Sequence, residues 1–213
     1  MESNREYHDR MRGLLENAYV AADERGDLFG GSGASGGMAH WAARRRVIAN
    51  SFDHDGTWLD VGCANGLLME TLSGWAAEKG VTIEPYGLEI SERIAERARK
   101  RLPQWANRIW TGDVMEFHPP IRFDYVTVLP EYAPPHRRTD LLRRVAGRFL
   151  NPNGRLIVSC YGPAAFLLGY AAPAESAAAL LLAAGFRLVG EAEARDGATG
   201  MLKTRVAWAD AKR

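Results

Sequence analysis

Apolar residues recur along this chain with two periods, and the switches between them divide it into helices and strands. Residues 5–22 carry Tyr7, Met11, Leu14, Leu15, Ala18 and Tyr19 at helical spacing, which predicts an amphipathic helix. A second helix is expected over 38–51, with Trp41, Ile48 and Phe52 on one face and Arg44, Arg45 and Arg46 beside it. Between the two lies Gly30-Gly-Ser-Gly-Ala-Ser-Gly-Gly37, which reads either as a plain linker or as a mobile loop able to approach a ligand. From residue 57 the chain alternates. An apolar strand (Trp58, Leu59, Val61) turns through Gly62, Cys63, Ala64, Asn65 and Gly66 into a helix faced by Leu68, Leu72, Trp75 and Ala76 and closed by Gly80. Strand 82–88, a helix capped by Ser91 and ended by Pro103, and strand 107–111 follow. Then come strand 123–129, helix 136–149, strand 154–160, a connection with Tyr161, Pro163, Phe166 and Tyr170, and helix 174–184. Strands 186–194 and 200–208, joined at Asp196-Gly197, read as an antiparallel hairpin. Strands alternating with helices imply a mostly parallel sheet covered on both faces.

Composition narrows this picture little. The 213 residues are 46% hydrophobic and 25% charged, enough for one globular domain with a substantial core. A formal net charge of +1 gives no overall attraction to nucleic acid or membrane. Cys63 and Cys160 end different predicted strands, as reduced thiols of a cytoplasmic protein would. The start lacks the basic-then-apolar pattern of a secretion signal, and no apolar run reaches the length of a membrane span.

The chemistry concentrates at the first strand and its turn, where Asp60, Gly62 and Gly66 stand in the spacing Asp-x-Gly-x-x-x-Gly. A strand, a glycine turn and a helix make a ligand site. A pyrophosphate at such a turn wants bare amides and a helix N-terminus, and a carboxylate there would repel it. An acid suits a ligand that brings positive charge and no phosphate, as S-adenosyl-L-methionine does with its ammonium and sulfonium.

The segment 57–71 resembles the first motif of the class I S-adenosylmethionine-dependent methyltransferases, and later stretches match that family in order over about residues 57–208. Glu89, with Ile90 after it, stands at the second strand's end, where the family's acid grips both ribose hydroxyls; a carboxylate has lone pairs for both. Thr111-Gly-Asp113 stands where the family reads the adenine amino group, with Gly112 and Val114 flanking the base. Phe123-Asp-Tyr-Val-Thr-Val-Leu-Pro130 resembles the fourth strand and its ligand-facing end at Leu129 and Pro130, and Asn151-Pro-Asn-Gly154 the turn into the fifth. Ala64 departs from the pattern, since many members have glycine there, a change expected to leave binding intact. The resemblance implies a doubly wound α/β domain at residues 53–213, with a seven-stranded sheet, an antiparallel last strand and no inserted substrate domain. It makes residues 1–52 a candidate helical lid.

It also implies in-line methyl transfer, in which the cofactor brings the leaving group and the protein orients the partners and excludes water. The expected acceptor is a small molecule methylated at nitrogen or oxygen; an RNA methyltransferase and a cofactor-binding module without turnover are the alternatives. On the acceptor side Tyr132 could face the sulfonium as a cation–π partner or line the pocket, and Glu131 could hold an amine or accept a proton; packing between prolines explains both equally well. His40 and His136 are candidate bases, each also readable as a surface or packing histidine. Asp53-His-Asp55 lacks further ligands at metal spacing, so no metal site is expected. The arginine runs at 44–46, 97–101 and 137–148 read better as solvated helix faces than as an RNA patch. The oligomeric state stays open.

Overall fold

The computed structural model describes residues 4–33, 36–161 and 176–211. Seven strands form one sheet: β1 (Gly56–Val61), β2 (Ile83–Glu89), β3 (Ile109–Thr111), β4 (Phe123–Val128), β5 (Leu150–Tyr161), β6 (Gly190–Arg195) and β7 (Leu202–Asp210). Their order is β3-β2-β1-β4-β5-β7-β6, with parallel pairing throughout except that β7 runs antiparallel to both neighbours. This is the doubly wound seven-stranded sheet, with its last strand reversed, that the family resemblance implies. Among the described residues six α-helices accompany it: α1 (Asn4–Glu24), α2 (Gly37–Arg45), α3 (Leu67–Ala77), α4 (Glu92–Arg101), α5 (Arg138–Arg148) and α6 (Ala177–Ala183).

Both faces of the sheet are covered, so its central strands are buried on both sides. On one face Leu141, Leu142 and Val145 of α5 and Leu180 and Leu181 of α6 pack on Leu59, Val126 and Leu156. On the other, Trp41 and Ile48 join Leu67 and Leu72 of α3 and Ala95 and Ala98 of α4 against Trp58, Tyr125 and Ile157. Leu59 and Trp58 are consecutive residues serving opposite cores, as the two-residue period of a strand requires.

Several predicted elements are corrected in extent, among them strand 107–111, which starts only at Ile109 because residues 107–108 end the 3₁₀ turn Pro103–Arg108, and strand 200–208, which is found at Leu202–Asp210. The helix expected over 38–51 is α-helical only to Arg45 and continues as a 3₁₀ turn, Arg46–Ser51. Side chains from the domain take its carbonyls, Lys79 Nζ donating to Ala49 O at 2.9 Å and Arg155 Nη1 to Ser51 O at 2.9 Å. The helix expected from 136 begins as a 3₁₀ turn, Pro135–Arg137, before α5. The fifth strand reaches back through the turn to Leu150, and the sixth starts only at Gly190, with Phe186 and Leu188 packed on the core ahead of it. Pro163, Phe166 and Tyr170, and the first residues of helix 174–184, lie outside the described residues.

Arg155 fastens distant parts of the chain together. Besides Ser51 O it binds Asp53 at 2.8 Å and Asp210 at 2.7 Å. Tyr125 Oη, which donates to Asp53 at 3.0 Å, lies 2.7 Å from His54 Nδ1. The Asp53–His54 pair thus belongs to a structural network, and among the described residues no cluster of His, Cys, Asp or Glu has the makings of a metal site.

Candidate active site

The site opens at the carboxyl ends of β1, β2 and β4, and strand register sets its first polar chain. Asp60 on β1 pairs across to Thr127 on β4. Trp58 Nε1 donates to Thr127 Oγ1 at 3.1 Å, and that hydroxyl donates to Asp60 Oδ1 at 3.0 Å. Asp60 is only 4% exposed. Burial drives its carboxyl up to about 7, although the Thr127 bond and the Arg45 charge pull the other way.

The turn after β1 is tight because three residues adopt left-handed backbone, Gly62 (φ 73°), Ala64 (φ 48°) and Gly66 (φ 77°). A Cβ on Gly62 would collide with the Tyr132 hydroxyl, so the close approach demands glycine. Ala64 carries the strain of a side chain in that region, and its N–H donates to Glu89 Oε2 at 3.0 Å. Ser91 N donates to Glu89 Oε1 at 3.0 Å. Burial, at 6% exposure, raises the Glu89 carboxyl in spite of these amides.

Asp113 is held from two sides, by Met115 N at 2.8 Å on Oδ1 and by His8 Nδ1 at 2.5 Å on Oδ2. His8 Nε2 lies 2.8 Å from Tyr132 O and must donate to it, because a carbonyl only accepts. The Nδ1–Oδ2 hydrogen bond then holds one further proton between ring and carboxyl, and the ring is charged where it carries both. Burial opposes that charge, but the Asp113 and Tyr132 bonds prevail and His8 is raised.

Helix α1 is pinned over the cleft at further points. Tyr7 Oη donates to Glu131 O at 2.8 Å, and Glu16 receives Ser91 Oγ at 2.6 Å and Arg93 at 3.0 Å. Asn65 ties the glycine-rich stretch to the turn, donating to Leu28 O at 2.9 Å and receiving the Ser32 hydroxyl. A Cβ on Gly33 would strike the Tyr19 hydroxyl. The described part of that stretch is therefore packed, while Ala34 and Ser35 lie outside the described residues.

Of the residues singled out in the sequence, Asp60, Gly62, Cys63, Ala64, Glu89, Ile90, Gly112, Asp113, Val114, Leu129, Glu131 and Tyr132 line one cleft. Asn65, Gly66 and Pro130 support it from behind: a Cβ on Gly66 would meet Leu102, and Pro130 is buried at the start of the 3₁₀ turn Pro130–Tyr132. His40 is set apart from the cleft, on α2 near Lys203 and Asp196, and His136 is exposed in its 3₁₀ turn. Sequence reasoning missed His8, Glu16 and Thr127 as site residues, and also Arg45, which is turned inward from the 44–46 run. Only Thr127 left a signal, a hydroxyl among apolar residues of a central strand.

Polar atoms are unevenly satisfied around this cleft. Arg45 Nη1, Arg44 Nε, Glu131 Oε2 and Ser159 Oγ are buried and have no hydrogen-bond partner among the described residues. Burial raises the Glu131 carboxyl and holds the Tyr161 phenol up at about 12. The arginines elsewhere are structural ties: Arg97 to Asp23 and Glu24, Arg101 to Asn65 O and Glu70, Arg144 to Val114 O and Phe117 O.

No family model matches the chain, and neither does any curated protein. Solved structures do. The 1,6-didemethyltoxoflavin-N1-methyltransferase of Burkholderia thailandensis, with 1,6-didemethyltoxoflavin and S-adenosylhomocysteine bound, superimposes at a TM-score of 0.66 and 17% identity, covering 100% of this chain and 92% of that one. The N-methyltransferase NodS of Bradyrhizobium japonicum WM9, in complex with S-adenosylhomocysteine, gives 0.58 at 17% identity over 82% and 86%. A putative methyltransferase of Haloferax volcanii, complexed with the Trm112 methyltransferase activator, gives 0.65 at 15% identity over 95% and 97%. The chain has the class I methyltransferase fold. In a methyltransferase fold of this strand order the cleft stands where β1 and β4 diverge, at the point where the order of the strands reverses. No helix among the described residues is long and apolar enough to cross a membrane.

Proposed function

We propose that this protein is an S-adenosyl-L-methionine-dependent methyltransferase acting on nitrogen or oxygen of a small-molecule acceptor. The observation that carries the reading is the pair of buried carboxylates, Asp60 and Glu89, at the ends of β1 and β2 on either side of a turn with no room for a side chain at Gly62 and Gly66. Buried acids that have hydrogen-bond donors but no bonded cation are costly in such a place without a cationic or hydroxyl-rich occupant. The solved neighbours with S-adenosylhomocysteine bound support the same assignment.

In this reading Asp60 receives the ammonium of the amino-acid portion, and Thr127 keeps the carboxylate aimed. Glu89 spends one lone pair of each oxygen on the amides of Ala64 and Ser91 and keeps the others for the ribose hydroxyls. Asp113, with Gly112 and Val114, faces the base, and His8 fixes the orientation of that carboxyl through its hydrogen bond. The cofactor supplies an electrophilic methyl on cationic sulfur. The protein's own part is to hold the acceptor's lone pair in line, receive or relay the proton released from the acceptor, and keep water out. Tyr132, backed against Gly62, and Glu131, with Oε2 unpartnered, are the residues of this chain placed to do so. His40, set apart from the cleft, takes no part.

Calorimetric titration with S-adenosylmethionine and S-adenosylhomocysteine tests the cofactor assignment, and acceptor screening with methyl-labelled cofactor tests turnover. Absence of binding to either nucleoside would sink the reading.

A further inference from the structure

Of the buried polar atoms without a partner, the four on residues that line the cleft, Arg44, Arg45, Glu131 and Ser159, gather on the side of β4 and β5, away from the strands that carry Glu89 and Asp113. Arg45 is their centre. It ends α2 with only 5% of its surface exposed, and its guanidinium lies over the rings of Tyr161 (3.9 Å) and Trp41 (4.9 Å). Rings cover a guanidinium's face and leave its hydrogen-bonding edge to be filled in plane. No described residue fills it: Arg45 makes neither a hydrogen bond nor an ion pair with Asp60 or Glu131, although it feels the charge of both. Arg44 lines the same cleft with Nε also unpartnered, so two adjacent cations face one space. A buried guanidinium without an acceptor is costly, and a fork of N–H donors matches a carboxylate. Close by, Glu131 Oε2 and Ser159 Oγ lack partners of their own.

We propose that the methyl acceptor bears a carboxylate, bound edge-on by Arg45, beside the N–H or O–H group that is methylated and that Glu131 receives. This rests on the methyltransferase reading above. It makes Arg45 the residue that selects anionic acceptors and leaves the cofactor's binding to Asp60 and Glu89. Trp41, Tyr132 and Tyr161, which line the same side, suit a flat acceptor.

The test uses the full chain saturated with S-adenosylhomocysteine, so that the cofactor's own carboxylate is already in place. The probes are 2-aminobenzoate, 4-aminobenzoate and β-alanine, each titrated beside its carboxamide. We expect at least one carboxylate to bind about tenfold or more tightly than its amide, the scale of a charge-assisted hydrogen bond, and Arg45→Met to erase the difference. S-adenosylhomocysteine should bind the variant at most a few-fold more weakly than wild type, the part that follows from losing Arg45's pull on the Asp60 carboxyl, and the variant's melting temperature should hold or rise, because a buried unpaired charge has been removed. A carboxylate series that binds no better than the amides overturns the proposal. So does a loss of about tenfold in S-adenosylhomocysteine affinity on Arg45→Met, which would give Arg45 to the cofactor's own carboxylate. If Arg45→Met folds poorly, Arg45→Lys keeps the charge, loses the fork and carries the same comparison. Failure of the wild-type protein to bind S-adenosylhomocysteine at all is a different result, and it strikes the cofactor assignment itself.

Discussion

The two sides of the cleft differ in how their polar groups are satisfied. Toward β1, β2 and β3, the acids already have donors within the chain: Asp60 from Thr127, Glu89 from two backbone amides, Asp113 from Met115 and His8. Toward β4 and β5, Arg45, Glu131 and Ser159 keep atoms with no partner among the described residues. A ligand common to many enzymes can be met by a frame that holds itself rigid. A ligand peculiar to one enzyme is met by side chains whose last bonds the ligand must supply, which is where specificity is greatest.

The sharpest way to break that comparison is at the acids. Asp60→Ala and Glu89→Ala should each weaken nucleoside binding by about 1–3 kcal/mol, read by calorimetry, as expected for lost hydrogen bonds to charged groups. Unchanged affinity in both would contradict the site. Thr127→Val comes next. It strips a donor from Asp60 and an acceptor from the Trp58 indole, and denaturant titration should show a loss of about 1–3 kcal/mol, the cost of unsatisfied buried groups.

The pH dependence of Asp60 sharpens the contrast from another direction. Its carboxyl is raised to about 7 in the folded chain, so the folded state holds a proton that the unfolded state, near 3.8, has released. Its contribution to stability is therefore complete below about pH 4 and lost as pH climbs through about 7. An ammonium needs the ionised form, so S-adenosylhomocysteine affinity should move oppositely and rise between pH 6 and 8. A flat profile would detach Asp60 from the ammonium.

Smaller effects belong to α1 and the turn. His8→Ala should quicken amide exchange across α1 by removing its bonds to Asp113 and Tyr132, with a stability loss of about 1 kcal/mol. Identical exchange rates would mean that α1 is held elsewhere. Ala64→Gly relieves a left-handed alanine and should raise stability by up to about 1 kcal/mol, the balance between relieved strain and glycine's entropy.

The sheet and its acids were legible because they rest on local rules. A period of two followed by glycines and a period of 3.6 announces strand, turn and helix, and an acid at a strand's end is visible one residue at a time. What stayed hidden depends on packing between distant segments. His8 meets Asp113 across 105 positions, and nothing in its own helix foretells that bond. In the 44–46 run, Arg46 turns out to Glu78 and Arg45 turns in beneath two rings, a division that composition cannot express. The change from α-helix to 3₁₀ turn at the same place was equally invisible, because the side chains that take its carbonyls come from Lys79 and Arg155.

That last residue joins the tail of the chain to its mouth. Arg155 grips Asp210 with one edge and Ser51 O and Asp53 with another, so the final strand and the stretch that seats α2 share a single bolt. Trimming the chain ahead of Asp210 would slacken the platform on which Arg45 stands. A cut at one extremity would then be felt as altered selectivity at the opening of the cleft.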